Sequence, residues 1–175
     1  MAKDWLQFFY ETMSGAESYV GGGKAQPMEN FHGWKGYSIE KGPFRLVDRY
    51  ILLPNGFSAG VTTQRVDGRL VLHMQYGGFY PKAVTDFLRS VLKAQYEAKS
   101  FNGFRGPQEY EEGEFVYRNQ VYKPPLWDDA NNLSVYALNV NQYMQSAGQE
   151  VILKKTGRSL HPVGWHDYHY IIFKP

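Results

Sequence analysis

Cysteine is absent from this 175-residue chain. Its absence excludes disulfides, thiolate catalysis and cysteine-ligated zinc. It also suits a reducing compartment, so we predict a cytoplasmic protein. A chain of this length buries about 70% of the surface that its unfolded form exposes, and such a core needs no cross-link. We therefore expect residues 1–175 to form one domain.

Long apolar segments and an excess of one charge are absent as well. The longest apolar run, residues 50–54, is far shorter than the roughly 20 residues that cross a membrane. The first 19 residues contain three acidic side chains and lack the apolar centre of a signal peptide. The 19 basic and 17 acidic residues give a net charge of +2. Neither nucleic acid nor a membrane is therefore predicted as a partner.

Aromatic residues are abundant, with 14 Tyr and 11 Phe. Aromatic side chains favour half-buried strands, and they also line ligand pockets. Together with the helical segments below, they predict an α+β fold. We expect one or more strongly bent antiparallel sheets, formed by two similar β-meander units packed on a central amphipathic helix, with a further helix at the N-terminus.

Two helices are predicted from apolar residues at helical spacing. The first covers about residues 4–19, begins at the capping residue Asp4 and ends before the glycines at 21–23. Residues 24–35 look irregular. The second helix covers about residues 81–99, with Pro81 in its first turn. Its apolar stripe consists of Val84, Phe87, Leu88, Val91 and Leu92.

The two strand-rich units cover about residues 36–78 and 108–175. In the first unit, Asp67-Gly68 predicts a tight hairpin, because this dipeptide tolerates the positive φ angles of the turn. Thr156-Gly157 predicts a second hairpin less strongly. Within the second unit we also expect a strand at Leu133–Val140, preceded by a loop at Asp128–Asn132.

The two units share a pattern that predicts an internal repeat. Residues 42–48 and 113–119 each begin with glycine, continue with an aromatic and an apolar residue, and end in a polar residue. Asp48 and Asn119 are thus equivalent, and both are expected to point inward. An inward polar group needs a partner, so each either recognises a ligand or hydrogen-bonds the backbone of a loop.

These landmarks resemble an uncharacterised bacterial domain family, found alone or after an Xre-type helix-turn-helix segment. The resemblance covers roughly residues 36–158 and implies no established activity. The motifs that carry it are Phe57 to Gly60, Met74-Gln75-Tyr76-Gly77-Gly78, Phe104-Arg105-Gly106-Pro107, Gly113 to Tyr117, and Gly148-Gln149-Glu150.

The chain departs from that family pattern at several points. Thr62 stands where the first half would carry a glutamate like Glu150, and the segment 124–143 is longer than usual. The first helix stands alone, without a helix-turn-helix. A DNA-linked role is therefore not predicted for this chain.

Histidine and acidic residues are the first candidates for metal binding or acid–base catalysis. His166 and His169 would point to opposite faces of a strand, and Asp167 and His169 to the same face. Two ligands are too few for zinc, so no metal or other cofactor is predicted. Ser58 lacks the glycine two residues earlier that a nucleophile elbow needs. Glu150, beside apolar residues, is the best single acid, although it could serve only to bind backbone amides at a turn.

The sequence thus predicts no catalytic residue and favours a non-catalytic small-molecule-binding or sensor domain with an aromatic-lined cleft. The alternative is a protein-interaction or self-association module, such as a homodimer formed through Trp127 and Trp165. A hydrolytic enzyme that uses Glu150 with a histidine is the third hypothesis. The candidate ligand-binding residues are Tyr37, Asp48, Tyr76, Tyr117, Asn119 and Glu150.

Overall fold

The computed structural model describes residues 4–28, 32–122 and 143–174. The predicted strand at 133–140, the loop at 128–132 and Trp127 lie outside these residues. The helices are α1 (Asp4–Ser14) and α2 (Thr85–Glu97), and the strands are β1 (Gln26–Pro27), β2 (Trp34–Lys41), β3 (Phe44–Leu52), β4 (Phe57–Val66), β5 (Arg69–Phe79), β6 (Glu109–Glu112), β7 (Phe115–Tyr122), β8 (Tyr143–Thr156) and β9 (Ser159–Phe173).

The nine described strands form one antiparallel sheet in the order β1-β2-β3-β4-β5-β9-β8-β7-β6. The predicted α+β class with antiparallel strands is confirmed. Strands β5 and β9 pair at the centre, and the sheet is open because β1 and β6 lie at its two edges. The residues of both central strands can therefore contribute to a site shared by the two halves.

Both predicted tight hairpins are present. Asp67 and Gly68 have φ angles of 48° and 79°, and Val66 pairs with Arg69 across the turn. Thr156 pairs with Ser159 in the same way. Each hairpin also contains one irregularity of register, after Gln64 in β4 and after Ile152 in β8.

Side chains alternate between two faces of the sheet, and both helices cover the same face. Phe8 of α1 stacks on Phe44 of β3, with ring centroids 5.2 Å apart. Phe87 of α2 contacts Phe115 of β7, with ring centroids 5.4 Å apart. All five residues of the predicted α2 stripe are buried. We call the helix-covered side the inner face; Asp48 and Asn119 both lie on it and are buried.

The first helix is shorter than predicted, because it ends at Ser14 rather than near residue 19. The Ser14 hydroxyl donates to the Tyr10 carbonyl at 2.8 Å, and Gly15, a poor helix former, follows. Further on, buried Ser18 donates to the Met13 carbonyl at 2.6 Å. The chain therefore turns back over the sheet where the apolar spacing alone predicted another helical turn.

The other boundaries differ by smaller amounts. Helix α2 begins at Thr85, after a 3-10 turn at Lys82–Val84, and ends at Glu97. Part of the connection predicted to be irregular forms the edge strand β1, which pairs with β2. Strands β8 and β9 are 14 and 15 residues long, since they pair with each other along most of their length.

Candidate functional site

A fully buried ion pair lies on the inner face, between Glu150 of β8 and Arg105 of the loop that precedes β6. The side chains of Glu150 and Arg105 are 0% and 7% exposed. The Arg105 Nε donates to both carboxylate oxygens, at 3.2 and 3.1 Å, and a second guanidinium nitrogen donates to Oε1. A charge buried this deeply persists only when it is paired and hydrogen-bonded.

Two tyrosines complete the coordination of the Glu150 carboxylate. The hydroxyl of Tyr80, which follows β5, donates to Oε1 at 2.9 Å, and that of Tyr117 on β7 donates to Oε2 at 2.5 Å. Burial opposes ionisation of Glu150, but the charge and hydrogen bonds of Arg105 outweigh it, so the pKa of Glu150 lies below its ordinary value. Glu150 is therefore an anion at neutral pH, and it binds side chains rather than the turn amides considered above.

His166 of β9 lies beside this ion pair and reaches the edge of the buried region. Its Nδ1 is 3.7 Å from Glu150 Oε1 and has no hydrogen-bond partner among the described residues. Its Nε2 is 2.9 Å from the hydroxyl of half-buried Ser58 on β4. Burial lowers the pKa of His166 to about 4, so the imidazole is neutral at physiological pH.

A second carboxylate, Asp48 of β3, lies in the neighbouring part of the inner face. Thr62 Oγ1 and Tyr76 Oη donate to its Oδ1 at 2.8 and 2.9 Å. Burial raises the pKa of Asp48, and the hydrogen bonds only partly oppose this shift. Asp48 is thus held by neutral hydroxyls, in contrast to the guanidinium that holds Glu150.

Tyr76 joins the two carboxylate clusters. Its hydroxyl contacts Asp48, while the Arg105 guanidinium lies over its ring at 5.3 Å. The His166 ring stacks on the Tyr76 ring, with the two centroids 5.9 Å apart. The centroid of the Tyr80 ring lies 4.3 Å from that of His166. Because Tyr76 is only half-buried, it is the point at which the charged network meets the surface. We call these residues, with Ser58, Thr62 and Tyr117, the Glu150–Asp48 network.

The loop that supplies Arg105 is held in a conformation that most residues avoid. Phe104 has a φ of 62°, which is unfavourable for a bulky side chain, yet its ring is 1% exposed. Its carbonyl accepts the Tyr96 hydroxyl at 3.1 Å, and two residues on, the Gly106 amide donates to Tyr117 Oη at 3.0 Å. A Cβ at Gly106 would lie 2.5 Å from that oxygen. The loop therefore requires glycine at position 106 and holds Phe104 in the left-handed region.

Asn119 lies next to the network and serves the same loop. Its amide donates to the carbonyls of Gly106 at 2.9 Å and Asn102 at 3.3 Å, and its Oδ1 accepts the Tyr168 hydroxyl at 2.7 Å. All of these partners belong to the protein. Of the two roles predicted for Asn119, the structure thus shows bonding to loop backbone.

The structure brings together most of the residues that sequence predicted for the site, but not all. Asp48 contacts Tyr76, and Tyr117 contacts Glu150. Tyr37 lies apart from both pairs: its hydroxyl donates to the Gly23 carbonyl at 3.1 Å, and its ring stacks on another tyrosine of the sheet. Arg105, Tyr80, Thr62 and Tyr168 were not predicted as site residues. The one available signal was the Phe-Arg-Gly-Pro motif, which contains Arg105.

Two surface depressions border other residues. One, of about 360 Å³, lies on the outer face and is lined by Met28, Arg45, Val47, Arg49, Thr63 and Arg65. The other lies between α1 and β2. Neither depression borders the Glu150–Asp48 network, whose half-buried members are Ser58 and Tyr76.

Among residues 4–28, 32–122 and 143–174, no three His, Asp or Glu side chains are grouped closely enough to hold a metal ion. His166 faces inward, whereas Asp167 and His169 are exposed on the outer face, as their alternation predicted. Within the same ranges, neither helix combines the length and apolar character that a membrane crossing requires.

Compared with protein-family models, with curated proteins and with solved structures, the chain has no match.

Proposed function

We propose that this protein binds a small molecule where the Glu150–Asp48 network meets the surface, at Ser58 and Tyr76. The observation that carries this proposal is the burial of two carboxylates, a guanidinium and a neutral imidazole around one half-buried tyrosine. Burial of these charged and polar side chains costs more free energy than burial of apolar residues of the same size. Perturbed ionisable residues held together in this way are typical of functional sites.

The groups exposed at this surface indicate the kind of ligand. Both hydrogen bonds to Asp48 converge on Oδ1, which leaves Oδ2 to accept a donor from the ligand. The ring of Tyr76 supplies a flat apolar surface. We therefore expect a small aromatic or otherwise flat ligand that carries an amine or amide donor.

A ligand-observed NMR screen tests this proposal with a library of aromatic amines and amides. Fragments that bind should bind about tenfold more weakly to the Tyr76→Leu variant, because the stacking surface is lost. The matched control is Tyr110→Leu. Tyr110 is also a half-buried tyrosine whose hydroxyl donates to a carboxylate, that of Glu112, but it lies on the edge strand β6. Equal binding to both variants, or no binding fragment at all, would contradict the proposal.

We also propose that the two halves of the sheet arose by duplication. Asp48 pairs with Thr62 in the first half, and Asn119 pairs with Glu150 in the second. With that alignment, the two register irregularities, after Gln64 and after Ile152, fall at equivalent positions. The strand order of the second half is also the reverse of the first about the β5–β9 pair.

Membership of the bacterial domain family remains a proposal on the same footing. Three of its short motifs, far apart in sequence, supply Arg105, Tyr117 and Glu150. Arg105 and Tyr117 both donate hydrogen bonds to Glu150. A shared need for this contact would explain why the motifs occur together.

Self-association is a second candidate function, favoured by an exposed apolar row on the outer face. Phe57, Phe79, Trp165 and Val151 are successive cross-strand partners, and Phe57 and Trp165 are 45% and 39% exposed. We expect this row to bind the same row of a second copy of the chain. Its side chains carry no charge, so the two copies would not repel each other there. Light scattering across concentration should show a dimer that Trp165→Ser dissociates; a monomer at all concentrations would exclude this candidate.

A further inference from the structure

Ser58 and His166 contact each other across the central strand β5. Ser58 is half-buried on β4, and its hydroxyl oxygen lies 2.9 Å from Nε2 of His166 on β9, 108 residues away in sequence. The His166 ring lies against Gly78, where a Cβ would come within 2.7 Å of the ring carbon Cδ2. Such a Cβ would also lie 2.2 Å from the Trp165 carbonyl oxygen, so a side chain at position 78 would require a shift of β9 or of the histidine.

The charges around His166 determine which ring nitrogen carries the proton. The groups that face the ring are Glu150, Arg105, Tyr76 and Tyr80, apart from Ser58 itself. The Glu150 Oε1 lies 3.7 Å from Nδ1. A carboxylate at this distance favours a proton on Nδ1 and disfavours a lone pair there. The neutral ring then has its lone pair on Nε2, and Ser58 donates its hydrogen to that nitrogen.

We propose that Ser58 is a nucleophile, with His166 as its general base, and that the site accepts the acyl group of a carboxylic ester. Serine is a weak nucleophile unless a base is positioned to take its proton, and the Ser58–His166 geometry meets this condition. Glu150 is a positioning residue, since it fixes the tautomer without touching the substrate. This inference rests on the proposed function, because the ester would bind at the same surface, beside Ser58 and Tyr76.

The chemical step is balanced without any co-reactant other than water. Ser58 Oγ bonds to the acyl carbon while its proton passes to His166 Nε2. The ester C–O bond breaks, and the departing alcohol takes that proton from Nε2. Water then attacks the acyl-serine with His166 again as base, which releases the carboxylic acid and restores the Ser58 hydroxyl.

The test uses p-nitrophenyl acetate, an activated ester whose leaving group needs little protonation. Mixing it with the full chain should release p-nitrophenol, and intact-mass spectrometry with peptide mapping should locate one acetyl group on Ser58. Ser58→Ala should abolish this adduct, whereas Ser38→Ala, which removes an exposed serine of β2, should not. Acetylation of lysines alone, or the same adduct level in Ser58→Ala, would overturn the proposal.

The role of Glu150 has a separate readout. The variant Glu150→Gln should shift the pH profile of acylation to lower pH, because the carboxylate charge raises the pKa of His166. Circular dichroism establishes that this variant is folded. An unshifted profile in the folded variant would remove Glu150 from the mechanism. Fragment binding without acylation would overturn the nucleophile but leave the proposed binding function intact, so the two failures are distinguishable.

Discussion

Tyr76 and Tyr168 are cross-strand partners at the centre of the sheet, one on β5 and the other on β9. Each ring lies over a glycine of the adjacent strand: a Cβ at Gly60 would come within 2.3 Å of Tyr76, and one at Gly148 within 2.2 Å of Tyr168. Each hydroxyl then reaches an inward polar residue of the strand beyond, Asp48 or Asn119. The two halves thus support the network with matching contacts.

These close contacts predict that neither Gly60 nor Gly148 can be substituted without a loss of stability. Gly60→Ala and Gly148→Ala should each lower the free energy of unfolding by about 1–3 kcal/mol, because the added methyl group forces the tyrosine ring to move. Urea denaturation measures the loss. Gln145→Ala, at an exposed position of β8, should stay within about 0.5 kcal/mol of the parent. A loss in only one of the two glycine variants would argue against equivalent roles.

The ion pair predicts a large effect from removing one partner. Arg105→Met leaves Glu150 buried without its cation, and the free energy of unfolding should fall by about 3–5 kcal/mol. The double variant with Glu150→Leu removes both charges and should recover most of that loss. If chemical denaturation shows equal losses in the single and double variants, the pair is not the cause.

The Tyr117 hydroxyl serves as donor and acceptor at once. Tyr117→Phe removes the bond to Glu150 and the acceptor of the Gly106 amide, so we expect a loss of about 1–3 kcal/mol in unfolding free energy. Tyr122→Phe is the control, since Tyr122 is 51% exposed on the same strand. A loss no greater than in the control would show that water replaces both bonds.

The neutral state of His166 predicts a pH dependence of stability. Its pKa is about 4 in the folded chain, below the roughly 6.5 of an unfolded histidine. The unfolded chain therefore binds the additional proton between these values. Stability is fully present above pH 6.5, and up to about 3 kcal/mol should be lost as the pH falls to 4.

Equilibrium unfolding at several pH values checks this expectation. The variant His166→Gln should lose less stability over the interval than the parent does. The control His169→Gln changes an exposed histidine of the same strand and should keep the parent's slope. Identical slopes in all three proteins would contradict the burial of a neutral His166.

Local chemistry explains which parts of the fold were predictable from sequence. The Asp67-Gly68 hairpin depends on two adjacent residues, and the α2 stripe depends on one helical period, so both were recognised. The end of α1 was missed because a serine side chain competes with the helix there. The partial strand β1 was missed because its pairing depends on β2 rather than on its own two residues.

The candidate site was predictable only in part for a related reason. Inward-facing Asp48 and Asn119 follow from strand alternation, whereas Glu150 stands out in the sequence only as an acid beside apolar residues. Arg105 does not, because it lies in a loop and reaches Glu150, 45 residues away, only through the left-handed backbone at Phe104. A positive φ at phenylalanine contradicts local preference, so backbone preference could not predict how this loop places Arg105.

Backbone NMR of the labelled chain tests the central claim most directly, with a fragment from the binding screen as titrant. If the fragment binds beside Tyr76, the amide signals of Ser58, Gly77 and Gly78 shift with one common dissociation constant. The Tyr76→Leu variant then binds the fragment with a larger dissociation constant. Shifts confined to the outer-face depression around Arg49, with those three amides unchanged, would contradict it.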